Sequence, residues 1–375
     1  MQFDSKRRIP AMTTAQKLSF DVQLSDHART AAEREQVLAN PGFGQVFTDH
    51  MIRIDYTEGR GWHDARLMPY GPLTLDPATA VFHYAQEFFE GLKAYRQEGG
   101  AIVSFRPQAN AARFNLSAGR MAMPELPEET FVESLELLVQ TDRDWVPTTP
   151  GHSLYLRPFM IATQPALGVN HPSSTYSYMV IASPAASYFG GSRPVSVWLS
   201  TEYTRAAPGG TGFAKCGGNY AAAFVAQRQA VAQGCDQVVW LDANEHRYVE
   251  EMGGMNLFFV YGDRLLTPAL TGTLLPGITR DSILTMASDL DLTAEEGRLS
   301  IEEWQAGAES GELTEVFACG TAAVVTPVGA VKGADRAWTI GDGTQGPVTT
   351  RIREELVGIQ YGTRPDPYHW VHKIC

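Results

Sequence analysis

Eight residues near the middle of the chain, Ser187–Pro194 (SYFGGSRP), hold two glycines, two serines and a proline. Such a run sustains neither a helix nor a strand, so the chain divides there. At about 150 residues per domain, the 375 residues fit two domains. The expected organisation is an N-terminal arm over 1–35, a smaller domain over 36–186, an interdomain loop over 187–194 and a larger domain over 195–375. Before the loop, runs at 44–53, 62–70, 101–105, 154–162 and 176–183 read as strands, and 109–118 and 131–145 as helices. After it, strands are expected at 195–199, 237–241, near Tyr248 and Leu257, and at 316–318 and 323–326. Helices are expected over 220–233, from Thr279, from Ile301 and over 349–361. The fold class is α+β.

Charge and cysteine usage exclude several roles. Lys plus Arg is 30 and Asp plus Glu is 42, a net charge of −12. That balance opposes a general binder of nucleic acid or anionic membrane. No apolar run approaches the roughly 18 residues of a membrane helix. The basic cluster Lys6-Arg7-Arg8 has no apolar stretch after it, so secretion is not signalled. Cys216, Cys235, Cys319 and Cys375 are far apart and form no C-x-x-C pair. They fit reduced thiols in a cytoplasmic protein, not a disulfide framework or a metal site.

The densest chemical signal is the stretch from Gly209 to Tyr220, GGTGFAKCGGNY, with five glycines around Lys215. Glycine lets backbone come close to a ligand. As a phosphate-binding P-loop the stretch fails twice, at Ala214 and at Cys216. Two readings remain open on these residues: a surface loop with a solvated lysine, or an amine that attacks a carbonyl in a cleft. Downstream, Glu250-Glu251 lie between a β-like stretch and Gly253-Gly254. Strand alternation turns one carboxylate inward and the other outward. The inward one suits a pyridine cofactor, whose ring nitrogen needs an acid beside it. Two surface acids would read the same way. Leu275-Pro276-Gly277-Ile278-Thr279 opens a helix, and Gly320-Thr321-Ala322 is a turn between strands. Either could cradle an anion with backbone N–H groups, as could Arg113 with its guanidinium. Each is equally a plain cap, turn or solvated arginine.

Together and in this order, the motifs resemble the branched-chain amino acid aminotransferases, the L-specific branch of the fold type IV enzymes of pyridoxal 5'-phosphate. The matching stretches are Phe43-Gly44-Gln45-Val46-Phe47, His83-Tyr84, Phe89-Glu90-Gly91-Leu92-Lys93-Ala94, Tyr155-Leu156-Arg157-Pro158, Leu167-Gly168-Val169, Lys215 with Gly217-Gly218-Asn219-Tyr220, Glu251 with Met255-Asn256, Leu275-Pro276-Gly277 and Gly320-Thr321-Ala322. With Ile359-Gln360-Tyr361-Gly362 as the last of them, they span nearly the whole chain after residue 35. The resemblance implies a two-domain α+β fold like that of D-amino acid aminotransferase. Its smaller N-terminal α/β domain and larger C-terminal domain would hold the cofactor at their interface.

The resemblance also implies roles. Lys215 would hold pyridoxal 5'-phosphate as a Schiff base and shuttle a proton. Glu251 would pair with the pyridine nitrogen, leaving Glu250 outward. Tyr220 would bond near the ring oxygen. Arg113, the amides of Ile278 and Thr279, and Thr321 would grip the phosphate. Ala322 would receive the substrate carboxylate. Phe43, Tyr84, Phe89, Tyr155 and Tyr188 would line an apolar pocket, and Arg157 would meet the second carboxylate of glutamate or 2-oxoglutarate. Leu167 and Val169 would reach the neighbouring subunit's site in a homodimer. The implied reaction exchanges an amino group between leucine, isoleucine or valine and 2-oxoglutarate. Another fold type IV activity, D-amino acid transfer or aminodeoxychorismate cleavage, is the alternative, and a cofactor-binding protein without catalysis is a third. Two departures stand out. Ala323 and Thr326 replace a redox C-x-x-C found in some animal members, and Gly254 stands where some relatives place threonine.

Overall fold

The computed structural model describes residues 18–186 and 193–375. Up to residue 186 the chain forms β1 (Asp21–Val22), α1 (Ala31–Ala39), β2 (His50–Thr57), β3 (Gly61–Pro69), α2 (Ala80–Tyr84), β4 (Glu87–Phe89), β5 (Leu92–Arg96), β6 (Ile102–Phe105), α3 (Pro107–Arg120), α4 (Glu128–Thr141), β7 (Ser153–Ala162) and β8 (Thr175–Ala185). From residue 193 it forms β9 (Val195–Ser200), α5 (Gly217–Ala221), α6 (Phe224–Ala232), β10 (Gln237–Leu241), β11 (Val249–Met252), β12 (Met255–Tyr261), β13 (Arg264–Pro268), α7 (Ile278–Met286), β14 (Thr293–Gly297), α8 (Ile301–Ser310), β15 (Glu315–Gly320), β16 (Val324–Lys332), β17 (Ala337–Thr339), α9 (Pro347–Tyr361) and β18 (Val371–Lys373).

The strands build two nine-stranded sheets. The first runs β1-β3-β2-β8-β7-β5-β6-β18, with β4 added on β7. Its β7 shows the period of two that a half-covered strand requires. Leu154, Leu156, Met160 and Ala162 enter a core with Phe114, Phe131, Leu135 and Leu138 of α3 and α4. The alternate residues Tyr155, Arg157, Phe159 and Ile161 are only half-buried, on the opposite face. That face carries the site described below.

The second sheet runs β11-β10-β9-β16-β15-β12-β13-β14, with β17 on β16. An extra pairing of β11 with β12 joins six of these strands in a ring. Strand β12 reads MNLFFVY because it is covered on both faces. Leu257 and Phe259 pack into one core with Trp304 of α8. Phe258 and Val260 pack into another with Ile283 of α7 and Ile352 and Leu356 of α9.

Three local expectations are corrected. The strand expected over 44–53 begins only at His50, because Gly42 and Gly44 turn the preceding chain with φ of +62° and +68°. The single helix expected over 220–233 is two, α5 and α6, separated at Ala222 and Ala223. The helix expected over 131–145 stops at Thr141, and a single 3₁₀ turn, Arg143–Trp145, follows it.

Candidate active site

The seam between the two sheets is stitched at the lysine. The Lys215 N–H donates to Ser117 Oγ of α3 at 3.0 Å, and its carbonyl accepts the Phe89 N–H of β4 at 3.0 Å. Its Nζ donates to the Tyr220 hydroxyl at 3.0 Å and lies 5.0 Å from the centre of the Phe89 ring. The loop has a fixed shape. Asn219 Nδ2 donates to the carbonyls of Thr211 at 2.8 Å and Ala214 at 2.9 Å. Two glycines are required by close approach. A Cβ on Gly212 would stand 2.3 Å from the Thr273 carbonyl oxygen, and one on Gly217 would stand 2.2 Å from Glu87 Oε1, which accepts the Gly217 N–H at 2.5 Å. This is an amine held in a defined place, not a lysine on a loose loop.

Glu251 lies on β11 and is buried. Its Oε1 accepts the Leu275 N–H at 2.7 Å and Asn256 Nδ2 at 3.3 Å, and its Oε2 pairs with Arg205 Nε at 2.9 Å. A carboxylate offers about four acceptor positions, so one is left for a ring N–H. Burial pushes the Glu251 carboxyl above its ordinary value, and the Arg205 guanidinium is the strongest influence the other way. The outward position expected for Glu250 is wrong. It too is buried, and it accepts the hydroxyl of Thr273, in the 271–275 segment, at 2.5 Å. Burial pushes it up, against the Thr273 hydrogen bond.

The three candidate anion-holding features are placed as follows. Arg113 Nε and Nη2 bind Glu90 Oε1 and Oε2 at 2.7 and 2.8 Å, and Nη1 donates to the Pro276 carbonyl at 3.1 Å. A guanidinium carries more N–H groups than these contacts use. Helix α7 starts at Ile278 and has no capping side chain. Its first N–H groups have no partner within the helix, and the positive end of its dipole lies with them. The third feature is the turn at Thr321 and Ala322, where Lys93 Nζ donates to the Ala322 carbonyl at 2.8 Å.

Aromatic side chains form one wall. The Phe43 and Tyr155 rings lie 5.0 Å apart, and so do those of Phe89 and Tyr220. The Arg157 guanidinium sits 4.5 Å over the Phe89 ring and donates to the Tyr155 hydroxyl at 3.1 Å. Tyr84 is placed differently. Its hydroxyl accepts the Gly168 N–H at 2.7 Å, so it joins Leu167 and Val169 around a separate cleft of about 390 Å³. Leu167 and Val169 are 68% and 79% exposed there. Tyr188 lies outside the described residues.

Sequence reasoning gave no role to Glu90, Lys93 or Arg205. The first two had a signal: charged residues inside the apolar run 81–94 must be buried with partners. Arg205 had none, because nothing in its neighbours announces that it folds under Glu251.

The amino-transferase class IV family matches residues 87–331 of the chain. The branched-chain-amino-acid aminotransferase of Mycolicibacterium smegmatis is 60% identical over 363 residues, 95% of this chain and 98% of that protein. The Bacillus subtilis branched-chain-amino-acid transaminase 1 is 49% identical over 335 residues, 89% of this chain and 94% of that protein. The crystal structure of Escherichia coli branched-chain amino acid aminotransferase aligns with a TM-score of 0.71 at 29% identity, over 86% of this chain and 99% of that one.

Proposed function

Because the chain belongs to the amino-transferase class IV family, and within it to the branched-chain-amino-acid aminotransferases, we propose that Lys215 is the centre of a reversible exchange of an amino group between leucine, isoleucine or valine and 2-oxoglutarate. The observation that carries this reading is the lysine amine held on Tyr220 in a seam that also buries Glu251. The relatives favour it over a D-amino acid aminotransferase or a lyase.

The cofactor of this reading is pyridoxal 5'-phosphate, and the residues present suit it. Lys215 would hold it by its amine and Glu251 by the ring nitrogen. Arg113, the Ile278 and Thr279 amides and the Thr321 hydroxyl would take the phosphate. When bound, it supplies the electron sink that lets the substrate α-carbon release a proton. Lys215 Nζ takes that proton and returns it, as a general base needs a site within hydrogen-bond reach. The Tyr220 hydroxyl at 3.0 Å aims the amine. Phe43, Phe89 and Tyr155 bury an aliphatic side chain, at about 0.8 kcal/mol per CH₂. Arg157 and the Tyr155 hydroxyl meet the second carboxylate of the dicarboxylic partner. The Thr321–Ala322 turn receives the α-carboxylate, with Lys93 behind it.

The same reading divides the chain at 187–194 into a smaller and a larger domain. It also makes the protein a homodimer in which the exposed Leu167 and Val169, with Tyr84, serve the neighbouring subunit. It places the protein in the cytoplasm, in keeping with four cysteines that are all free thiols. The test is Lys215→Ala. Leucine turnover with 2-oxoglutarate should fall by at least about 1,000-fold, the scale expected for losing a proton-transfer group, and the cofactor's bound absorbance band should vanish. Full turnover in that variant overturns the reading.

A further inference from the structure

A buried carboxyl reverts to its neutral form unless charge and hydrogen bonds hold it ionised. Glu251 is 2% exposed, and Arg205 beside it is 6% exposed. Among the described residues Arg205 is the ion-pair partner of Glu251. Its guanidinium does more than pair. Nη2 donates to the Gly212 carbonyl at 3.1 Å and to the Thr273 carbonyl at 2.8 Å. Gly212 belongs to the loop that carries Lys215. Thr273 stands two residues before Leu275, whose N–H binds the same Glu251, and a few before the start of α7. One buried cation therefore ties together the lysine loop, the acid and the approach to the phosphate cradle.

We propose that Arg205 is a positioning residue that keeps Glu251 anionic and aimed, and so keeps the proton on the cofactor's ring nitrogen. The inference rests on the reading that pyridoxal 5'-phosphate occupies this seam. Arg205 acts through Glu251 and touches neither substrate nor cofactor. Its guanidinium suits the task because its rigid planar fork serves several acceptors at once. In the loaded site Glu251 would pair with Arg205 through Oε2 and with the protonated ring nitrogen through its remaining acceptor position. Without Arg205, burial would push Glu251 further toward its neutral form, and a neutral acid does not hold a proton on that nitrogen.

The test compares two ligands on apoprotein: pyridoxal 5'-phosphate and its carbocyclic analogue, with a CH in place of the ring nitrogen. Wild type should prefer the natural form. Arg205→Met should lose at least tenfold in affinity for the natural form and less than twofold for the analogue, and Arg205→Lys should recover part of the loss. In a Glu251→Gln background, Arg205→Met should add little further change, because coupled residues do not add. Equal weakening of both ligands, or a full additional loss in the Glu251→Gln background, overturns the proposal and leaves Arg205 a structural tie. Should Arg205→Met fail to fold, Arg205→Lys with and without Glu251→Gln decides by the same comparison. Failure of wild type to bind either ligand would instead overturn the cofactor reading.

Discussion

Glu90 and Arg113 form a two-point ion pair between β4–β5 and α3, 2.7 Å from Nε to Oε1 and 2.8 Å from Nη2 to Oε2, with Glu90 fully buried. Asn110 Nδ2 adds a third hydrogen bond to the same carboxylate at 2.8 Å. Removing one partner of such a pair leaves a buried charge uncompensated. Glu90→Gln should therefore destabilise the apoprotein by about 3–5 kcal/mol, measured by urea unfolding. Cofactor affinity should fall with it, since Arg113 loses its anchor.

The same pair predicts acid sensitivity. Burial alone would raise the Glu90 carboxyl, but the charge and hydrogen bonds of Arg113 outweigh it and hold it below the ordinary 4.5. A depressed carboxyl adds stability that is present above its unfolded value and disappears as pH falls through the folded one. The stability gap between wild type and Glu90→Gln should be full at pH 6 and should narrow as pH drops below 4.5. A gap that stays constant down to pH 3 would contradict this.

Lys93 is a buried ammonium that, among the described residues, donates to the Ala322 carbonyl, and burial pushes it down to about 8. Two charges about 4 Å apart attract by about 1 to 4 kcal/mol between water and a protein surface. Lys93→Met should therefore weaken binding of 4-methylvaleric acid, a carboxylate without an amine, about tenfold or more. In wild type that binding should weaken as pH rises through about 8, where the ammonium loses its charge. In Lys93→Met the pH dependence should be absent. Calorimetric titration at pH 7 and 9 distinguishes the cases.

Gly217→Ala drives a Cβ to 2.2 Å from Glu87 Oε1. Either Glu87 leaves the Gly217 N–H, which frees the loop, or the loop itself shifts two residues from Lys215. Misplacing a reacting group by about 1 Å can lower a rate about 100-fold. We expect kcat for leucine to fall on that scale while the circular dichroism spectrum is unchanged.

Much of the fold was legible because each sheet has regular coverage. The run 154–162 read as a strand, and the burial alternation that the structure shows there puts Tyr155 and Arg157 on one face. Lys215, Glu251 and the 275–279 turn stood out only together, through the family resemblance, because each alone also reads as a surface loop, a pair of surface acids or a plain helix cap. The fate of Glu250 was not legible. Strand alternation assumes that one side of β11 faces water, but Glu250 is buried there and meets Thr273, distant in sequence. Arg205 and Glu90 were unreadable as partners for the same reason. Arg205 reaches Glu251 46 positions on, and Glu90 reaches Arg113 across 23, in both cases through tertiary packing that no local pattern encodes. The grouping of Tyr84 with Gly168 depends on a contact of the same kind, 84 residues apart.

Strand β18 (Val371–Lys373) pairs with β6 on the first sheet, after the chain has built the whole of the second. Its partner strand is made more than 260 residues earlier, so this edge waits until the strands of the second sheet have been synthesised. Until then β6 has an unpaired rim, the kind of exposed edge that invites association with other chains. Pairings this remote also slow folding. The two halves are therefore divided in space but not in time: the first cannot finish its sheet before the second exists, and a nascent chain would need shielding along β6 during that interval.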